Sequence, residues 1–377
     1  MNRYAVSVVI IILSMLCMSC GKKPVADSTV LDTLPGIYSS GLSNLAANKV
    51  KEAETDFNKI LKVDKKSPMG LTGLALIDLK GHHFRRCLGR LDKALKYDPD
   101  YVDAHVVRGR VFTEQGRNGW KQDALDAFAT ALELDSDNQP ALYYQGECYI
   151  KAYDFTKATR SFELASQQQG GLNKATVDRH LLVEKILEAG PLTEAGKAIA
   201  LTASIDRATL CMLLIEELDM RNLLKIHRNR LFYDLFHDDF KPRKSKKIIP
   251  MDISSHPNRH MIFPFATLGL PDLTVFPDGR FYPDRKVSRD QYAVIMYGIC
   301  NLLEMGDGDT NTESMIVPED VHVDHYAFEA ILYCLQKNFM QSIGNSGFRP
   351  SEEVSGVDAV FAICALREEY KWIDIRQ

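Results

Sequence analysis

Past Cys20 the chain has no two cysteines at the Cys-x-x-Cys spacing used by metal centres and redox pairs. The six that remain, Cys87, Cys148, Cys211, Cys300, Cys334 and Cys364, stand singly among apolar or helix-forming neighbours. They read as buried free thiols, and no metal is expected. A charge imbalance is missing too: 46 Lys and Arg against 50 Asp and Glu leave a net charge of -4, which gives no reason to expect nucleic acid. The N-terminal apolar run, Val8 to Leu16 with Ser14 inside it, is short of the roughly 20 residues a membrane-spanning helix needs. No phosphate loop, nucleophile–base set or metal-ligand spacing is present, so neither an enzyme nor a cofactor is expected. His82-His83 is adjacent rather than helically spaced and has no further ligand nearby, so it reads as a turn. What is present is ordinary for a globular protein: 377 residues, 45% hydrophobic and 25% charged, room for two domains at about 150 residues each.

The N-terminus carries an early cation, Arg3, then the apolar run, then Met18-Ser19-Cys20-Gly21-Lys22-Lys23. A basic start, a short apolar stretch and a small residue before the cut are the parts of a secretory signal. With cysteine just after the cut, the segment resembles the lipobox of bacterial lipoproteins. It departs from the family's pattern at Cys17, where leucine is preferred, with Leu16 one place early. The resemblance implies cleavage before Cys20, acylation (palmitate) of its thiol, and a lipid-anchored envelope protein. Gly21 and Lys22 lack the aspartate of inner-membrane retention, which points to the periplasmic face of an outer membrane in a two-membrane cell. A plain signal peptide or a membrane-spanning anchor is the alternative.

The first half repeats on itself. One register runs Ala53, Cys87, Ala124, Ala158; a second Gly41, Gly73, Gly109, Gly146; a third Phe57, Leu91, Phe128, Phe162; a fourth Ile60, Ala94, Ala131, Ala165. Turn residues separate the units at Lys66-Ser67-Pro68, Asp98-Pro99-Asp100 and Ser136-Asp137-Asn138-Gln139-Pro140, each proline expected to start the next helix. The second unit reads as stretched at Gly81-His82-His83 and the third as having a longer turn around Gly116 and Gly119. This resembles four tetratricopeptide repeats over residues 36–169. Small residues let paired helices approach, and the large residue fills the gap to the next pair. Such a stack forms a curved scaffold whose concave face holds a partner. The candidate partner-binding residues lie on the first helix of each pair: Tyr38, with Leu42 and Asn44; His105 and Arg108, with Arg110; Tyr143 and Tyr144, with Glu147.

In the second half two segments match each other. One holds Asp252-Ile253, then Asp278-Gly279-Arg280-Phe281-Tyr282-Pro283, then Val287-Ser288-Arg289. The other holds Asp320-Val321, then Ser346-Gly347-Phe348-Arg349-Pro350, then Val354-Ser355-Gly356. Asp278-Gly279 and Ser346-Gly347 are expected to make left-handed turns, and serines to cap the helices that follow. A third copy of the last box stands at Ser204-Ile205-Asp206-Arg207. These motifs resemble the surface-layer homology domain, in which three repeats share a helical bundle and hold cell-wall polysaccharide. The resemblance implies glycan contacts at Arg207 and Arg289, an aromatic platform at Tyr326, and a role for Asp278. The third box has Gly356 in place of arginine, and the family's tryptophan is Tyr326 in one repeat and Met261 in the other. Two roles stand open for the arginines: gripping an acidic glycan, or anchoring the starts of their helices to neighbouring loops.

The fold expected is mostly α: a tetratricopeptide helical-repeat solenoid followed by an α-helical, surface-layer-homology-like pseudo-threefold bundle. The expected boundaries are a signal peptide at 1–19, a lipid-anchored linker at 20–35, repeats at 36–169, a helical connector at 170–203 and the bundle at 204–377. The basic stretch Lys241 to Lys247 reads as a solvated linker, with contact to phosphate or wall polymer as the alternative. The expected function is a non-enzymatic envelope lipoprotein that tethers a membrane, through its lipid anchor, to cell-wall or envelope polysaccharide and binds a protein partner through the repeats. The alternative is an assembly factor for polysaccharide export or outer-membrane complexes whose bundle only packs.

Overall fold

The computed structural model describes residues 33–168, 170–226, 250–303, 305, 317–344 and 347–376, which are helix, turn and loop, with only isolated bridges in extended pairing. Cys20 with its leader and the stretch from Lys241 to Lys247 lie outside the described residues. No described helix is long and apolar enough to cross a membrane. The chain forms two compact units: one up to Cys148 together with Gln168–Gly170, the other Tyr149–Gln167 and everything from Gly171.

The first unit is built of helix pairs: α1 (Leu34–Ala46) with α2 (Val50–Val63), α3 (Pro68–Lys80) with α4 (Phe84–Tyr97), and α5 (Val102–Gln115) with α6 (Trp120–Leu134). Helix α7 (Gln139–Lys151) follows, and the division between units falls within it. The pattern of small and large residues explains the packing. A side chain placed on Gly41 or Gly73 would meet the Phe57 ring at 2.5 and 2.2 Å, and one on Gly109 would meet Phe128 at 2.6 Å. Each ring therefore lies directly on the backbone of a first helix, and Phe57 closes both its own pair and the next. Phe57, Phe128, Ala53, Cys87 and Ala124 are wholly buried. Burying one such ring contributes about 2–3 kcal/mol.

Helix starts follow local chemistry. Thr33 Oγ1 accepts from Gly36 N at 3.2 Å and Ser67 Oγ from Gly70 N at 3.4 Å. Pro68 and Pro140 stand in the first turns of their helices. Pro99 does not: α5 begins only at Val102, because Asp98 accepts from Asp100 N at 3.2 Å and holds the intervening residues in a turn. The turn at Gly81-His82-His83 is not stretched either. It has the same length as the one after α1, since His82 takes the left-handed conformation that Asn48 takes there, φ 55° and 61°. The third pair does have the longer turn, with Gly116 and Gly119 at φ 63° and 80°.

The second unit contains α8 (Phe155–Ser166), α9 (Asn173–Ala189), α10 (Glu194–Ala200), α11 (Arg207–Glu216), α12 (Met220–Ile226), α13 (Arg259–Leu268), α14 (Arg289–Leu302), α15 (Phe328–Gln336) and α16 (Gly356–Arg376). Its organising feature is a closed ring of three backbone hydrogen bonds. Val287 N donates to Ile205 O at 3.2 Å, Val354 N to Val287 O at 2.9 Å, and Ile205 N to Val354 O at 3.1 Å. Two residues beyond each member a helix begins: α11, α14 and α16. The Ile205, Val287 and Val354 boxes are thus related as three arms about one axis. Asp206 and Ser355 cap α11 and α16 through Thr209 N at 2.8 Å and Asp358 N at 3.2 Å. One left-handed turn residue is Gly279, φ 82°; in the other copy it is Gly344, φ 68°, rather than Gly347, whose backbone pairs with Ile343 instead.

Candidate functional site

In the first unit α1, α3 and α5 pack side by side, so the first helices share one face. Tyr38 is not a free surface group. It is 8% exposed and its hydroxyl donates to Asp103 Oδ2 at 3.2 Å. Tyr101 donates to the same oxygen at 3.4 Å. Burial pushes the Asp103 carboxyl up, against the two hydroxyl donors. Two other acids, in the first two pairs, have cations. Asp78, on α3, is paired with Arg86 at 2.6 Å and Arg90 at 2.9 Å. Asp56, on α2, accepts from Ser40, Asn44 and Lys59.

The other expected contact residues are part-exposed and engaged locally. His105 Nε2 donates to Pro99 O at 2.7 Å, and Arg108 is ion-paired with Asp92. The Arg110 guanidinium lies 4.1 Å over the Tyr144 ring, which meets the Tyr143 ring edge-on at 5.1 Å. The structure thus joins Tyr38 to Asp103, and Tyr143 to Tyr144 and Arg110. It gives His105 and Arg108 separate neighbours. Tyr101 and Asp103 were not expected from the sequence. Nothing in the repeat registers marks them, because their link to Tyr38 crosses from the first pair to the third.

In the second unit Arg207 and Arg289 are each 3% exposed. Arg207 Nε donates to Phe281 O at 2.9 Å, Nη2 to Thr274 O at 2.6 Å, and Nη1 to Asp272 O, with the Phe281 ring 4.4 Å away. Burial draws its pKa down to about 10, so it is still charged at neutral pH. Arg289 repeats the arrangement: Nε to Phe348 O and Nη2 to Gln341 O, both at 2.7 Å, over the Phe348 ring at 4.6 Å. The same loops are held from the other side. Asp252 accepts from Phe281 N and Tyr282 N, and Asp320 from Phe348 N at 2.7 Å and Arg349 N at 2.6 Å. Burial alone would raise the Asp320 carboxyl, but these two donors hold it below its ordinary value. Asp278 is exposed and accepts from Tyr282 Oη and Arg280 N. Tyr326 is 63% exposed, its ring 5.0 Å from His325. Asp252, Arg280, Tyr282 and Arg285 line a surface hollow of about 430 Å³.

The six cysteines of the described residues are buried and form no disulfide with one another, and burial raises Cys87 to about 12 and Cys300 to about 11. No described cluster of His, Cys, Asp and Glu is arranged to hold a metal.

Residues 72–119 match the tetratricopeptide repeat family model. The chain contains tetratricopeptide repeats. A curated relative from Hordeum vulgare, described as a probable UDP-N-acetylglucosamine–peptide N-acetylglucosaminyltransferase SPINDLY, is 27% identical over 150 residues, 38% of this chain and 16% of the relative. The chain therefore spans about a sixth of that protein's length. Among solved structures, a thermophilic tetratricopeptide protein of Thermus thermophilus, TTC0263, is 18% identical, covers 50% of this chain and 96% of its own, with a TM-score of 0.37. YrrB, a tetratricopeptide protein described as having an unusual peptide-binding site, is 16% identical and covers 43% and 84%, with a TM-score of 0.28.

Proposed function

We propose that this chain is a non-catalytic scaffold of the cell envelope that holds a protein partner against the face shared by α1, α3 and α5. The observation that carries the reading is the side-by-side packing of those first helices. It assembles part-exposed polar and aromatic groups from different repeats into one surface, as tetratricopeptide stacks do. A photo-crosslinking residue at His105 or Leu42, on first helices, is expected to yield a covalent protein adduct in cells. The same residue at Val63, 72% exposed on the second helix α2, is expected to yield none. Equal adducts from both faces, or none from either, would remove the proposal.

The envelope location rests on the segment ending at Cys20. Cys20→Ala is expected to leave a precursor of higher mass that no longer fractionates with membrane. Unchanged mass and fractionation would refute lipidation there. For the second unit we favour the assembly-factor reading over a polysaccharide tether. The support is that Arg207 and Arg289 direct their donors to loop carbonyls. A wall glycan would then be left with the exposed Tyr326 and Asp278 as its contacts, and the likeness to the surface-layer homology domain enters only as architecture.

A further inference from the structure

We propose that Asp103 is the receptor for a single arginine or lysine side chain of the protein partner. The inference rests on the scaffold reading above and names the chemistry its surface selects. Three observations carry it. Asp103 Oδ2 is fixed by two tyrosyl hydroxyls from different repeats, Tyr38 at 3.2 Å and Tyr101 at 3.4 Å. Its other oxygen, Oδ1, accepts no hydrogen bond among the described residues, yet it is not sealed from solvent. No described lysine, arginine or histidine forms an ion pair with it, whereas Asp56 and Asp78 in the earlier helix pairs are paired with Lys59, Arg86 and Arg90.

The carboxylate is therefore aimed, partly desolvated and without a countercharge. Burial keeps its pKa raised, and no neighbouring cation lowers it. A guanidinium or ammonium arriving at Oδ1 would form a charge-assisted hydrogen bond in a site already oriented and already partly stripped of water. The partner's group must be cationic, because a carboxylate or a neutral amide would leave the charge unmet.

The test uses random heptapeptides displayed on phage and panned against the immobilised full chain at neutral pH. The expected result is enrichment of peptides with arginine or lysine at one fixed position. A synthetic peptide of the enriched sequence is then compared with its citrulline counterpart. Citrulline in place of arginine is expected to weaken binding to the unaltered chain by about tenfold, and to have no effect on the isosteric Asp103→Asn chain. A second measurement needs no variant: the Asp103 carboxyl, followed by carbon NMR, should titrate about one pH unit lower with the peptide bound. Enriched peptides with no basic position, an equal citrulline penalty in both chains, or an unmoved Asp103 titration would each overturn the inference and leave the scaffold reading standing. No enriched peptide at all, together with failed crosslinking from His105, would overturn both.

Discussion

Gly356→Arg is expected to destabilise the second unit strongly, although arginine stands at the matching place in the other two arms. In those arms Arg207 and Arg289 reach the carbonyls of Phe281 and Phe348 through their side chains. Phe281 and Phe348 precede Val287 and Val354 by the same interval as Ile199 precedes Ile205. In the third arm the backbone makes the approach itself. A Cβ on Gly356 would lie 1.8 Å from Ile199 O and 2.5 Å from Thr202 Oγ1, and Gly356 N donates to Thr202 O at 3.0 Å. The nearest obstacle is main chain, which cannot rotate away. Overpacking of this kind costs about 3 kcal/mol or more, a fall of about 6–12 °C in melting temperature for a unit of this size. Even Gly356→Ala should show most of the loss. Melting followed by circular dichroism checks it, and an Ala variant that melts with the unaltered chain would show that the third arm has room to spare.

Arg207→Ala is expected to destabilise the same unit by about 3 kcal/mol, because it strands the carbonyls of Phe281, Asp272 and Thr274. Each buried acceptor left without a donor costs about 1–3 kcal/mol, softened where water can enter. Arg207→Lys should not restore stability. One ammonium on a flexible stem cannot serve three carbonyls arranged around a planar fork. Arg289→Ala should repeat the effect at the Phe348 loop. Retention on purified cell-wall sacculi separates the two roles open to these residues. A variant that keeps its melting temperature and loses retention would restore the glycan role. A variant that loses melting temperature, with lysine failing to rescue, would establish the clamp.

Both predictions concern places whose surroundings a motif match does not supply. The repeat registers of the first half were legible because a small or a large residue serves one geometric need at each turn of the stack. Gly41 and Gly73 must be glycine where Phe57 lies on the backbone, and Ala53, Cys87 and Ala124 must be small where helices cross. Periodicity reports such needs directly, since each repeat contacts its neighbour in the same way. The three boxes at Ile205, Val287 and Val354 were legible for the same reason, and the ring of hydrogen bonds among them is what their recurrence serves.

The sequence by itself determined the helical repeat, its registers and the three related helix starts, because these depend on contacts between neighbouring segments that recur along the chain. Only the tertiary structure decided which partners the polar residues find. Tyr38 looks like a surface tyrosine of one repeat until Asp103 of the third pair is brought to its hydroxyl. Arg207 and Arg289 leave two roles open in the sequence, and their burial against loop carbonyls far along the chain is visible only in the structure. A side chain's type fixes what it can donate or accept, but its partner is set by long-range closure. For a polar group, that partner decides whether its charge is spent on the fold or kept for a ligand.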